Sequence, residues 1–358
     1  MTTDKLRIVR AIVVVSILCF SLNANSSTSQ KLFDKGSALI KQNKIKQGIG
    51  FLRQAAAKGH GRAAFELASL HEVGLVVEKD FRQAKKFYEL SVRHGYRDAH
   101  FNLALLLSSP MTPNNNLRRA RDVISVIANQ GDIEAQYLLA TLLKKKMDNV
   151  SAKLGKAFYW LQHAANSGHA KAQLALGTQY LKGEHISRSK KTALKWFNRA
   201  AMQHVPDAHY NLALMYEKGE GVSLDRDTSI DWYKSAAALG SVEAQHNLGI
   251  KYLTADYLEP RPKRALGLLT SAASSGSKSA QLLLGKLYLS GFQGSIKADQ
   301  RQAEKWFVEA ARQGVSEAQY QLALIFLAKD EGMDEATFWI KRAVATGHIE
   351  ATQLQANL

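Results

Sequence analysis

The first candidates for chemistry in this 358-residue chain are eleven histidines, five tryptophans, one cysteine and two Ser-x-x-Lys tetrads. The tetrads, Ser187–Lys190 and Ser275–Lys278, have the spacing of a serine nucleophile served by a lysine base. Both fall in turns between predicted helices, whereas that chemistry puts the serine at the head of a buried helix. Neither is followed by Ser-Asp-Asn or Lys-Thr-Gly, and Gly-x-Ser-x-Gly is absent. The histidines build no metal frame. His60, His169 and His348 each follow a glycine, His100 and His209 share a helical position far apart in the chain, and His71-Glu72 has no second histidine four residues on. Gly219-Glu-Gly221 lacks the third glycine and the preceding strand of a phosphate loop. The expectation is no catalytic residue, no metal and no cofactor.

The elements that would have to position such residues are strongly periodic. A glycine mark recurs at Gly59, Gly95, Gly131, Gly168, Gly240, Gly276, Gly314 and Gly347, with His204 in the ninth place. An alanine stands four residues after each, from Ala63 to Ala351. The spacings are 36, 36, 37, 36, 36, 36, 38 and 33 residues, so the chain is an array of one small unit. Around Gly168, Ala157, Trp160, Leu161 and Ala164 recur at i, i+3, i+4 and i+7, and Ala172, Leu176 and Tyr180 at i, i+4 and i+8. Each set is one apolar helix face, and the glycine between them suits a turn with positive φ. The unit is a helical hairpin. Eight after the mark stands leucine, as in Leu176, Leu212 and Leu248. Nine after stands only alanine or glycine, and twelve after come Tyr180, Tyr216, Tyr252, Tyr288 and Phe326. Trp160, Trp196, Trp232, Trp306 and Trp339 all lie eight before a mark, which assigns them to packing between units rather than to a pocket.

The pattern Ala-x-Trp-Phe/Tyr-x-x-Ala-Ala-x-x-Gly-x-x-x-Ala-Gln-x-x-Leu-Gly-x-x-Tyr-x-x-Gly resembles the Sel1-like repeat, a relative of the tetratricopeptide repeat. It is fullest in Phe158–Gly183, Trp196–Gly219, Trp232–Tyr252 and Trp306–Phe326, and weaker in Ile45–Gly74, Phe87–Leu107, Val123–Lys146 and Leu268–Gly291. The resemblance implies an all-α, right-handed superhelical solenoid of about nine helix-turn-helix repeats of roughly 36 residues, ending in a short helix over Ile349–Leu358. It also implies a concave face lined by the first helix of each hairpin, where peptides bind. The positions six and seven after the mark then make Asn102, Tyr137, Tyr210, Asn211, Asn247 and Tyr320 the groove candidates. Against this stands packing of the same aromatics between repeats, with the amides satisfying backbone. Cysteine-rich relatives are linked to β-lactam binding, so a hydrolase of β-lactams or cell wall is the alternative function.

Residues 1–24 read as a signal peptide: Lys5, Arg7 and Arg10 precede the apolar run Ala11–Phe20, and Ser21-Leu-Asn-Ala24 offers a cut after Ala24. Residues 25–30 read as a disordered start of the mature chain and 31–358 as the repeat array. Leu18 is too bulky for lipoprotein processing at Cys19, the sole cysteine, so the mature chain has no disulfide. The formal charge of +17 becomes about +15 once the signal is removed. Much of it sits where the second helix of a hairpin is predicted to begin, at Lys46, Arg82, Arg118, Arg119, Lys156, Lys191, Lys263, Arg264 and Arg301. These form a candidate basic rim.

The expected function is an exported, non-enzymatic scaffold or adaptor in the bacterial envelope, periplasmic or secreted, or in contact with a host. Its partners would be proteins, acidic where they meet the rim, or an anionic envelope polymer. Nucleic acid and a membrane span after signal cleavage are not expected. Departures from the period at Ser108–Asn116, Asp256–Lys263, Gly291–Gln300 and Lys329–Met333 are where partner specificity would be added.

Overall fold

The computed structural model describes residues 28–112, 116–145, 150–184, 186–255, 257–329 and 331–358. The expected signal peptide and the cut after Ala24 lie outside the described residues. So do 113–115, Asp256 and Asp330 within the irregular turns. The described residues form nineteen α-helices. The first eight are α1 Thr28–Lys41, α2 Ile45–Ala57, α3 Gly61–Val73, α4 Phe81–Arg93, α5 Asp98–Ser108, α6 Leu117–Asn129, α7 Ile133–Lys144 and α8 Val150–Asn166. They are followed by α9 Ala170–Lys182, α10 Lys190–Ala201, α11 Pro206–Lys218, α12 Arg226–Ala238, α13 Val242–Thr254 and α14 Pro262–Ser274. The last five are α15 Lys278–Ser290, α16 Gln300–Arg312, α17 Ser316–Leu327, α18 Met333–Ala345 and α19 Ile349–Ala356. Odd-numbered helices open a hairpin and even-numbered ones close it, with α19 at the end alone. The all-α repeat architecture expected from the periodicity is the one observed. Thr28–Gln30, assigned from sequence to a disordered leader, are the first turn of α1.

The glycine mark is a helix terminator. At Gly59, Gly95, Gly131 and each later glycine of the series φ lies between 75° and 97°, the left-handed region that glycine enters without a Cβ clash. His204 takes the same conformation at φ 57°. The next residue's N–H returns to the carbonyl five back, as in His60 to Ala55 at 3.0 Å and His169 to Ala164 at 2.9 Å. That residue often caps the following helix: Asp132, Ser241 and Ser277 accept from the N–H of Ala135, Ala244 and Ala280. The recurring alanine thus carries the capped N–H, and its small side chain is fully buried.

A second clamp recurs in six of the described hairpins across loops of different length. The carbonyl twelve after the mark accepts from the N–H of the residue that precedes the closing helix: His71 from Asp80 (2.9 Å), Leu107 from Asn116 (2.8 Å), Tyr180 from Ser189 (2.9 Å) and Tyr288 from Asp299 (2.7 Å). Extra residues are looped out between clamp points. In Gly291–Gln300 they form a small bulge closed by a bridge between Phe292 and Ile296.

Small residues nine after the mark seat the large side chain seven before the next mark. A Cβ on Gly177 would lie 2.7 Å from the Phe197 ring, and one on Gly285 2.5 Å from that of Phe307. Interiors packed at this density leave no room for the extra carbon. The chain divides into two compact units, Met1–Ala172 and Gln173–Leu358, with the boundary inside α9. The core of the first runs through Leu52, Leu67, Tyr88, Leu103 and Ile124; that of the second through Phe197, Leu212, Tyr233, Leu269 and Phe307. The tryptophans pack against these cores, with Trp196 and Trp306 buried and Trp160, Trp232 and Trp339 half-buried.

Candidate functional site

All six groove candidates are half-buried and lie on opening helices: Asn102 on α5, Tyr137 on α7, Tyr210 and Asn211 on α11, Asn247 on α13 and Tyr320 on α17. Each has an internal partner. The Tyr137 ring stacks on His169 with centroids 4.3 Å apart, and Tyr320 on His348 at 4.6 Å. Asn247 donates to the Tyr210 hydroxyl (3.1 Å), Asn211 to the Asp207 carbonyl (2.7 Å) and Asn102 to the Tyr88 hydroxyl (3.2 Å).

The stacking histidines have a role that their position after the mark did not reveal. Nδ1 of His60, His169 and His348 accepts from the N–H of Ala63, Ala172 and Ala351, so each imidazole is a helix N-cap. Nε2 then meets an acceptor one repeat earlier: Gln30 at 2.9 Å, Glu134 at 3.2 Å and Glu317 at 3.1 Å. An aromatic ring of that earlier repeat, Phe33, Tyr137 or Tyr320, lies against the imidazole face. These are clasps between neighbouring repeats. Burial pushes the His60 imidazole below its ordinary value, which keeps Nδ1 free to accept. Glu317 also receives Lys286 (2.9 Å) and Gln321 (3.2 Å). Burial opposes its ionisation, but the bonds from Lys286, His348 and Gln321 outweigh burial and bring it down to about 2.

Two further constellations occupy equivalent slots, one in each unit. On α4, the buried Tyr88 donates to Glu72 of α3 (2.6 Å) and meets Ser69 (3.2 Å) and Asn102. On α12, the buried Tyr233 donates to Glu217 of α11 (2.7 Å). Glu217 also accepts from Lys251 of α13 and from Tyr257 (2.8 Å), the latter in the irregular turn after α13. Burial, then the neighbouring carboxylate, pushes both tyrosine hydroxyls far above their ordinary value. Burial alone would raise the Glu217 carboxyl, but bonds from Lys251, Tyr233 and Tyr257 hold it below. Apart from Asn102, none of these residues is a site candidate by sequence. The available signal is that glutamate stands thirteen after a mark only at Glu72 and Glu217, the two places where the next closing helix carries tyrosine seven before its mark.

All nine residues of the candidate basic rim are exposed. Eight lie in the first turn of α2, α4, α6, α10, α14 and α16. Lys156 does not, because α8 begins at Val150 and places it well inside the helix. Arg119 alone of the nine is in an ion pair among the described residues, with Glu89 at 3.0 Å. A cation in the first turn opposes the helix dipole at a cost of about 0.3–1 kcal/mol. Helix stability therefore does not explain these positions.

The serine tetrads are committed elsewhere. Lys190 is paired with Glu220 (3.0 Å) and Lys278 donates to the Gln313 carbonyl (3.0 Å), so neither amine is a free base for its serine. No group of three His, Cys, Asp or Glu side chains among the described residues could hold a metal ion. No helix among them is long and apolar enough to cross a membrane.

The Sel1 repeat family model matches residues 31–60, 61–96, 133–169, 170–205, 206–241, 242–277 and 278–315. It passes over 97–132, the hairpin that contains the Ser108–Asn116 turn. Among solved structures, a Sel1 repeat protein from Oxalobacter formigenes is 25% identical, with a TM-score of 0.75 over 90% of this chain and 92% of that one. A protective antigen present in uropathogenic Escherichia coli strains, displaying an SLR fold, is 22% identical, with a TM-score of 0.64 over 97% of this chain and 73% of that one. No curated protein matches the chain. Seven matched repeats, stacked through small residues under large ones, place the chain in the Sel1 repeat family.

Proposed function

We propose that the protein is a non-enzymatic scaffold or adaptor that binds protein partners and is exported to the bacterial envelope or beyond it. The observation that carries this reading is the set of exposed cations at helix N-termini, which cost local stability and, Arg119 excepted, form no ion pair among the described residues. Surface charge of one sign steers partners of the opposite sign and speeds their association. The half-buried faces of Asn102, Tyr137, Tyr210, Asn211, Asn247 and Tyr320 are the proposed polar contacts of an opening-helix surface. Partners are acidic proteins or, as the second arm of the same test, an anionic envelope polymer.

The test is affinity capture from an envelope extract with the full chain and with a variant carrying Lys46, Lys191 and Arg301 reversed to glutamate. A reproducible protein partner that the variant loses supports the reading. Recovery of neither protein nor glycan would overturn it. Export is checked separately by N-terminal sequencing of periplasmic material, where a mature chain starting at Asn25 is expected. Turnover of nitrocefin would instead support the hydrolase.

A further inference from the structure

The first unit contains a cleft of about 270 Å³ between the first half of α4, the end of α5 and the turn that follows. Its floor is Leu106 and Leu107, and its walls include Phe81 and Thr112. The Thr112 hydroxyl donates to the carbonyls of Leu106 and Ser109, both at 2.8 Å, and so ties the turn down as a wall. Arg82, Lys85 and Lys86 line the same cleft from α4. None of the three is in an ion pair among the described residues. The carboxylate beside them, Glu89, is spaced to pair with Lys85 at i,i+4, yet it is taken by Arg119 of α6 at 3.0 Å.

This arrangement is unfavourable as it stands. Arg82 repels Lys85 at i+3 and Lys86 at i+4 on one helix face. Arg82 also stands in the first turn of α4, at the positive end of the helix dipole. An anionic occupant removes both penalties. Leu106, Leu107 and Thr112 come from residues 97–132, the hairpin that departs from the family repeat, while Arg82, Lys85 and Lys86 sit on a hairpin that matches it. The volume lies just under the range of whole small-molecule sites, which suits a side chain and its neighbours on an extended segment. An apolar floor beneath a cationic wall suits a peptide that carries one apolar side chain among carboxylates better than a uniformly anionic polymer.

We propose that this cleft is a docking site for an acidic peptide segment of a partner protein, with Lys85, Lys86 and Arg82 receiving its carboxylates. The proposal rests on the scaffold reading and narrows it to one place and one partner chemistry.

The probe is a fluorescein-labelled hexapeptide, Glu-Asp-Glu-Leu-Glu-Glu, titrated by fluorescence anisotropy against the full chain. The double variant Lys85→Glu/Lys86→Glu should weaken binding at least about tenfold. Glutamate is as good a helix former as lysine, so circular dichroism and Tm should be kept. The control Lys195→Glu/Lys305→Glu makes the same charge change in the second unit, both at the slot of Lys86, and should bind within about twofold of the parent, since those exposed charges lie outside the cleft. Equal losses in both variants would reduce the effect to net charge and overturn the site. So would no binding to the parent chain, or displacement of the peptide more readily by inorganic polyphosphate than by unlabelled peptide at matched charge. Capture of envelope partners that Lys85→Glu/Lys86→Glu still retains would overturn this site and leave the scaffold reading standing.

Discussion

Tyr88 and Tyr233 hold the same slot in two units and have the same glutamate partner, yet their surroundings differ. Glu72 receives Tyr88, whose hydroxyl is also met by Ser69 and Asn102. Glu217 receives Tyr233, Lys251 and Tyr257, and the Lys251 side chain is only 10% exposed. The first is a neutral network with one carboxylate at its edge. The second is a nearly desolvated ion pair, completed by a tyrosine from an irregular turn. One repeat slot therefore supports two kinds of cross-link, and the difference arises from residues outside the repeat pattern.

The largest break in this comparison is expected from Glu217→Ala. It removes the carboxylate that faces the largely buried Lys251 ammonium and should cost about 3 kcal/mol. Glu72→Ala removes one hydrogen bond from a hydroxyl with two other partners and should cost about 1 kcal/mol. Denaturant unfolding followed by hydrogen exchange measures both, and equal costs would refute the contrast. Adding Lys251→Met to Glu217→Ala should recover part of the loss, because the stranded charge goes with it.

Acid should separate the carboxylates of the second unit from their unfolded values. Glu217 and Glu317 both titrate lower in the folded chain than their ordinary 4.5, Glu317 at about 2. As pH falls, the unfolded chain takes up these protons first. The stability each contributes is complete above about 4.5 and is lost as pH falls, for Glu317 toward about 2. Glu317→Gln should flatten that part of the Tm-against-pH curve. An unchanged slope would show that the Lys286 and His348 contacts do not hold Glu317 ionised.

The smallest effect concerns the marks. Those of the first unit are all glycine, whereas His204 of the second holds a left-handed φ with a side chain. His204→Gly should stabilise by about 0.5–1 kcal/mol, since relief of the Cβ clash exceeds the entropy that glycine adds to the unfolded chain. Gly131→Ala should cost about 1 kcal/mol at the matching place in the first unit. Thermal unfolding reads both.

Much of this was legible from spacing. The mark, the capped alanine four later, the small residue at nine and the packing tryptophans are single-slot signals repeated many times, so they rise above chance in one sequence. The clasps and tyrosine networks are pair signals, and each pair joins two slots that lie on different helices. Tyr88 and Glu72 are sixteen residues apart, as are Tyr233 and Glu217, a separation with no meaning until the facing of one helix on the next is known. The His169–Glu134 pair spans thirty-five residues. For the same reason spacing leaves groove contact and packing between repeats both open for Tyr137 and Tyr320, where a histidine of the next repeat covers one face of each ring.

Sequence alone determined that this is an all-α array of Sel1-type hairpins, where the closing helices before the marks end, and that its tryptophans pack between units. Those properties follow from local backbone preference and from side-chain volume at a fixed helical phase. Tertiary structure alone decided which polar groups meet: the imidazole clasps, the two unlike tyrosine networks, and the cleft where Arg82, Lys85 and Lys86 face Leu106 and Thr112. A hydrogen bond or an ion pair depends on distances of about 3 Å between atoms on separate helices. Only the packed arrangement of the hairpins sets those distances.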